Sequence, residues 1–212
     1  MAQNNLPMAL TLFRMACGPI VAGLVLWGAT LAYIDKSLAG LVFVCAGAIF
    51  ILAALTDWLD GYIARSTGAV TPLGAALDHC ADKVLITCAF VALCSLSTVP
   101  INLVIAAVLI LGRDVAVAGL REGLSASGRA LPVGALGKWK AAAEMIGVAA
   151  LLLEQAAYLD HAPDLIYLAV AWTARAAIWG AVALALLSGY DYAAAAFAPK
   201  ASVEPAEIDR VH

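Results

Sequence analysis

The sequence predicts an all-α integral membrane protein of six transmembrane helices, and three observations carry that prediction. Hydrophobic residues make up 64% of the 212 and charged residues 13%, with a mean hydropathy of +0.95. That is too apolar for an ordinary soluble domain and too evenly apolar to contain a separate one. Apolar runs recur along the chain near the roughly 20 residues that a helix needs to cross the hydrocarbon core. Nowhere do about 10 residues alternate apolar with polar, as the strands of a membrane barrel do.

The first run, Met8–Tyr33, is long, lacks a basic leader and has no small-x-small cleavage site close behind it, so it is expected to stay as a span. Leu38–Trp58, Ala75–Leu96, Leu103–Ala118 and Ala141–Leu153 follow in order. The stretch Leu165–Phe197 is too long for one upright helix and contains Arg175. The sixth span is therefore placed at Ala174–Phe197, with Asp160–Thr173 as a lip at the membrane surface and Arg175 near the outer boundary. Residues 1–197 form one membrane domain. The polar, Pro-containing tail 198–212 is expected to be disordered.

Orientation follows from the basic residues, which stay on the cytoplasmic side. With the N-terminus inside, Arg14, Arg65, Arg113, Arg121, Arg129, Lys138, Lys140, Lys200 and Arg210 all fall at cytoplasmic ends. The opposite loops hold Asp35-Lys36, Ser95–Pro100 and the acidic segment Glu154–Asp164. Both termini are thus expected in the cytoplasm. The five cysteines, Cys17, Cys45, Cys80, Cys88 and Cys94, show neither CxxC nor Cys/His spacing and read as small buried hydrophobes. No fixed-period repeat and no strand-to-helix phosphate loop is present.

Against this background the stretch "TDWLDGYIARSTGAVTPLGAALDHCAD" stands out, with four aspartates and an arginine between Thr56 and Asp82. On a helix, Asp57, Asp60, Gly61 and Ala64 follow spacings of three and four and share a face, with Arg65 beside it. Gly74, Asp78 and Asp82 stand at i, i+4 and i+8 of the next helix, and Ser66–Leu73 is expected to form the turn between them. Two antiparallel helices would then face each other with two carboxylates apiece. Four such groups repel unless a cation lies between them, and charges inside a membrane are expensive and usually functional. A hard all-oxygen set favours Mg²⁺ or Mn²⁺, and four carboxylates suffice for two ions arranged for phosphoryl displacement. His79 and Cys80 point off this face and are not counted as ligands. Gly61 and Gly74 either admit a bulky group to the backbone or allow close helix packing.

Written out, Asp57-x-x-Asp60-Gly61-x-x-Ala64-Arg65, eight residues, then Gly74-x-x-x-Asp78-x-x-x-Asp82 resembles the signature of the CDP-alcohol phosphatidyltransferases at every fixed position. The resemblance implies a six-helix membrane fold, usually homodimeric, with an active site open to the cytoplasm. It implies that Asp57, Asp60 and Asp78 bind a metal pair, and that Asp82 is the catalytic base and also touches a metal. It further implies that Asp57, Gly61, Arg65 and Gly74 hold the CDP moiety.

The opening "NLPMALTLFRMACGPI" is similar to the N-terminus of the phosphatidylglycerophosphate synthase branch of that family: Asn5, Pro7, Thr11 and Arg14 match, while Met8 replaces the usual Asn. "GRDVAVAGLREG" and "LGKWKAAAEM" resemble two further segments of the same branch. His79 stands where Pro is common, and Asp114 replaces a frequent Glu. The implied substrates are CDP-diacylglycerol and sn-glycerol 3-phosphate, among membrane lipids and with no nucleic acid. Arg113 and Arg121 lie eight apart on roughly one helix face and, with Lys138 and Lys140, form a cationic cluster suited to the acceptor's phosphate. Positive-inside topology alone also places basic residues there. A sibling enzyme using inositol phosphate, phosphatidylglycerol or serine is the nearest alternative; a divalent-cation transporter, with carboxylates ligating the moving ion, is the rival from another class.

Overall fold

A computed structural model describes residues 6–67, 72–126 and 135–197. They form six helices: α1 Leu6–Leu31, α2 Lys36–Thr67, α3 Pro72–Cys94, α4 Ile101–Ala126, α5 Ala135–Leu159 and α6 Asp164–Phe197. Among the described residues there is no strand. The short links make neighbouring helices antiparallel, so the bundle has an α2–α3 end and an α5–α6 end. Among the described residues, five helices are long and apolar enough to cross a membrane, all but α3. α3 carries Asp78, Asp82 and Lys83 in its first half.

The links are built from local hydrogen bonds. Asp35 caps α2 by accepting from the Leu38 N–H through its side chain, at 3.0 Å. After α5 the chain turns through His161, whose φ of 50° is left-handed, while the Ala162 N–H reaches back to the Ala157 carbonyl at 3.0 Å. This six-to-one bond closes the end of α5. The Pro163 carbonyl then accepts from Ile166 and Tyr167, opening α6 at once, with Asp164 favourably placed in its first turn.

That immediate restart corrects the sequence expectation. Leu165–Thr173 is not a surface lip but the first turns of one helix of 34 residues, about 51 Å long. α6 exposes Trp172 and Tyr190, which lie about 27 Å apart along the axis. Aromatic rings favour the two membrane interfaces, and the surplus length continues as helix instead of folding over. Glu154, assigned to an acidic loop, lies inside α5 and is buried. The link between α2 and α3 is also shorter than Ser66–Leu73, because α2 runs to Thr67 and α3 begins at Pro72. Arg129 and the tail 198–212 lie outside the described residues.

The core is rich in alanine, with Ala39, Ala46, Ala53, Ala89, Ala106, Ala174 and Ala181 fully covered. Small residues let membrane helices approach closely, where dispersion and not water exclusion holds them. α1 lies against α2 and α3, α5 against α2 and α6, and α4 mainly on α6. At Gly18 a Cβ would stand 3.1 Å from the Val84 carbonyl oxygen and 3.2 Å from the Leu85 Cα, so α1 and α3 pack closely there and a side chain would push their backbones apart by a few tenths of an ångström. Of the five cysteines only Cys17 is buried; Cys45 and Cys80 are exposed, which suits thiols on the apolar outer face of a membrane bundle.

Candidate active site

The α2–α3 end gathers the chemistry. Asp57, Asp60, Gly61 and Arg65 lie on the last turns of α2, and Gly74, Asp78 and Asp82 on the first turns of α3, with only residues 68–71 between the helices. Of these seven, the side chain of Asp82 alone is among those described. Asp82 is partly exposed and takes a 2.6 Å ion pair from Nη1 of Arg14, a residue of α1 with no exposed surface. The Gly18 contact explains this reach: it brings α1 against α3, and Arg14 sits one turn before it. Thr11, three residues earlier on α1, is also buried.

Beside Asp82 opens a pocket of about 200 Å³ between the first turns of α3 and α5 and the last turns of α4 and α6. Its wall includes all four basic residues expected to meet the acceptor's phosphate: Arg113, Arg121, Lys138 and Lys140. Helices from three parts of the chain thus bring the predicted base and the predicted phosphate cluster to one cavity. Lys83 joins them, so five cations and three carboxylates (Asp82, Asp114 and Glu144) line the pocket, a net charge of +2. Arg121 and Lys138 make no ion pair among the described residues and stand toward the mouth.

The deeper cations are tied down. Lys140 is 2% exposed and pairs with Asp114 and, at 2.6 Å, with Glu144. Lys83 also pairs with Asp114. Arg113 donates to the Asp114 carboxylate at 3.1 Å, to the Ala185 carbonyl at 3.1 Å and to the Ser188 hydroxyl at 2.7 Å. Its guanidinium lies 5.6 Å from the Tyr192 ring centre, within cation–π range. The last turns of α6 therefore fix the orientation of Arg113, which is possible because that helix continues to Phe197.

Arg14, Lys83, Asp114, Glu144, Ser188 and Tyr192 were not expected at the site. A signal existed for the charged four, since each lies within an apolar run where a charge is costly without a partner. Ser188 and Tyr192 carried no such signal, being ordinary residues of a membrane helix end. As to a metal, no group of three or more His, Cys, Asp or Glu stands together among the described residues. The donor chemistry of the aspartate stripe remains all-carboxylate, which suits a hard divalent cation. Among the stripe's neighbours, Cys80 is exposed.

Residues 4–187 match the model of a family described as CDP-alcohol phosphatidyltransferase. A CDP-diacylglycerol–glycerol-3-phosphate 3-phosphatidyltransferase of Bacillus subtilis is 38% identical over 89% of this chain and 93% of its own length. One of the same name from Rickettsia bellii is 34% identical over the same shares. A CMP-forming cardiolipin synthase of Oryza sativa is 33% identical over 84% of this chain and 55% of its own.

Proposed function

The chain belongs to the CDP-alcohol phosphatidyltransferase family, and on that premise we propose that it transfers a phosphatidyl group from CDP-diacylglycerol to sn-glycerol 3-phosphate. The products are phosphatidylglycerophosphate and CMP. The observation that carries the acceptor is the pocket beside Asp82, whose net charge of +2 complements a phosphate dianion. It is a multi-pass membrane protein.

Asp57, Asp60, Asp78 and Asp82 would hold a pair of Mg²⁺ or Mn²⁺ ions, which when bound supply charge neutralisation at the pyrophosphate. Asp57, Gly61, Arg65 and Gly74 hold the CDP moiety, while the acyl chains stay in the bilayer. Arg113, Arg121, Lys138 and Lys140 bind the acceptor's phosphate and leave its 1-hydroxyl toward Asp82. Asp82, held by Arg14, accepts the hydroxyl proton. The glycerol oxygen bonds to the lipid-bearing phosphorus as the bond from that phosphorus to the CMP oxygen breaks, and Arg65 meets the charge that develops on CMP. A carboxylate is a weak base for an alcohol, so positioning by the pocket must supply much of the acceleration.

The concentration of basic residues at this end supports a cytoplasmic site with both termini inside, in a bacterial cytoplasmic membrane. A homodimer is the assembly that the family resemblance implies.

A second reading, with phosphatidylglycerol as acceptor, draws on the likeness to the cardiolipin synthase. The pocket favours the first, because a phosphodiester carries one negative charge against the wall's net two. Cation transport gains nothing from a cavity walled by five cations. The deciding experiment gives purified protein CDP-diacylglycerol, Mg²⁺ and a panel of acceptors. Phosphatidylglycerophosphate and CMP from glycerol 3-phosphate is the expected result; product from another alcohol and none from glycerol 3-phosphate overturns the assignment.

A further inference from the structure

Asp114 is a carboxylate shared by cations from three helices. It is 7% exposed on α4, with Lys83 of α3 on Oδ2, Lys140 of α5 on Oδ1, and its neighbour Arg113 also on Oδ1. All three cations line the pocket read above as the acceptor site. By charge alone this is an odd residue for a phosphate pocket, since it removes one positive charge from the wall. Its geometry supplies the reason. Three cations at such close quarters repel strongly where water is scarce, and one carboxylate between them relieves that repulsion.

The donors divide unequally among the three. Arg113 directs Nε, Nη1 and Nη2 to Ala185, Asp114 and Ser188. Lys140 gives a donor to Asp114, forms an ion pair with Glu144 and is nearly covered. Lys83 gives one donor to Asp114, and its side chain is 34% exposed on the pocket. An ammonium has three donors, so Lys83 keeps two for a ligand, and of the three cations its side chain is the most exposed.

We propose that Asp114 is a positioning residue, and that it holds the Lys83 ammonium at the pocket wall, where Lys83 binds the acceptor's phosphate. The inference rests on the acceptor reading of this pocket and adds a residue to it. Two views of Asp114 then predict opposite signs. If Asp114 only dilutes positive charge, Asp114→Asn tightens anion binding; if it positions Lys83, the same change weakens it.

The test uses the full chain in lipid nanodiscs with CDP-diacylglycerol and Mg²⁺. It measures the KM for each substrate and the Ki of inorganic phosphate as a competitor of glycerol 3-phosphate. Asp114→Asn is expected to raise both the acceptor KM and the phosphate Ki by about tenfold or more, the scale of a lost hydrogen bond between charged groups. The KM for CDP-diacylglycerol stays within about twofold, and Asp114→Glu restores most of the loss. Lys83→Gln raises the acceptor KM similarly, and the double variant is no worse than the worse single, because the two act as one unit. An acceptor KM that falls or holds steady in Asp114→Asn overturns the proposal. So do equal losses for both substrates, additive losses in the double variant, or an unchanged acceptor KM in Lys83→Gln. Should Asp114→Asn fail to fold, Lys83→Gln decides alone, since it leaves Asp114 paired with Lys140 and Arg113. Wild-type protein in which phosphate does not compete with glycerol 3-phosphate removes the acceptor reading itself, before any variant is compared.

Discussion

The two ends of the bundle each bury charge, but they do so differently. Toward the α5–α6 end, Glu154 and Arg175 form a closed pair: both guanidinium nitrogens reach the carboxylate at 2.9–3.1 Å, and Nη1 also donates to the Ala171 carbonyl. Nearby, the Thr98 hydroxyl donates to Gln155 at 2.5 Å. One acid meets one base, and the contact joins α5 to α6. At the α2–α3 end, cations outnumber carboxylates around an open pocket. A matched pair has nothing left to offer a ligand, whereas an unmatched cluster holds donors in place for one. Charge imbalance next to a cavity, more than the presence of charge, separates the site from the scaffold.

The largest effect expected from breaking this contrast lies at Asp82. Asp82→Asn keeps a hydrogen-bonding partner for Arg14 but removes the base, and turnover should fall by at least ~10³-fold while CDP-lipid binding survives. Steady-state rates paired with a lipid-binding assay check it; near-normal turnover would take Asp82 out of the base role. At the other end, Glu154→Gln should leave KM and kcat within about twofold but lower stability by about 2–3 kcal/mol. That is below the 3–5 typical of a fully buried pair because the Arg175 side chain is 31% exposed. A thermal melt in detergent reads this directly, and a loss of activity without a loss of stability would mean that the two ends are coupled.

The fold was legible because length and apolarity dominate in a membrane chain. The one large error was at α6, and its cause is instructive. The sequence shows that a run of this length exceeds the bilayer, but not whether the surplus folds over or projects. The Asp160–Pro163 turn, after which α6 restarts at once, shows that it continues as helix. The same continuation of α6 hides part of the site from sequence reading, since Ser188 and Tyr192 matter only through their contacts with Arg113. Fixed spacing within one or two helices was readable, as with Asp78 and Asp82. Contacts such as Arg14 with Asp82, or Lys83 with Asp114, depend on which helices become neighbours, and one sequence does not state that.

A smaller change sharpens the description of the pocket's mouth. Arg121 makes no ion pair among the described residues, so removing it breaks none of the ion pairs described above. Arg121→Gln should raise the KM for glycerol 3-phosphate about tenfold, with kcat and stability little changed. The remaining affinity should also depend less on salt, because an exposed cation attracts an anion through a screened field. If KM is unchanged at low ionic strength, Arg121 serves topology and not the substrate.

The smallest effect is expected farthest from the chemistry, at His161. Its φ of 50° places a side chain in a region that costs an ordinary residue about 1–2 kcal/mol and glycine nothing. Glycine also has more freedom to lose on folding, which returns part of the gain. His161→Gly should therefore stabilise the protein by about 0.5–1 kcal/mol, or roughly 1–3 °C in Tm. The α5–α6 end contributes only scaffold, so kcat and both KM values should not move. A lower Tm would mean that the imidazole makes a contact worth more than the strain, and altered kinetics would show that the closed end reaches the open one through α5 and α6.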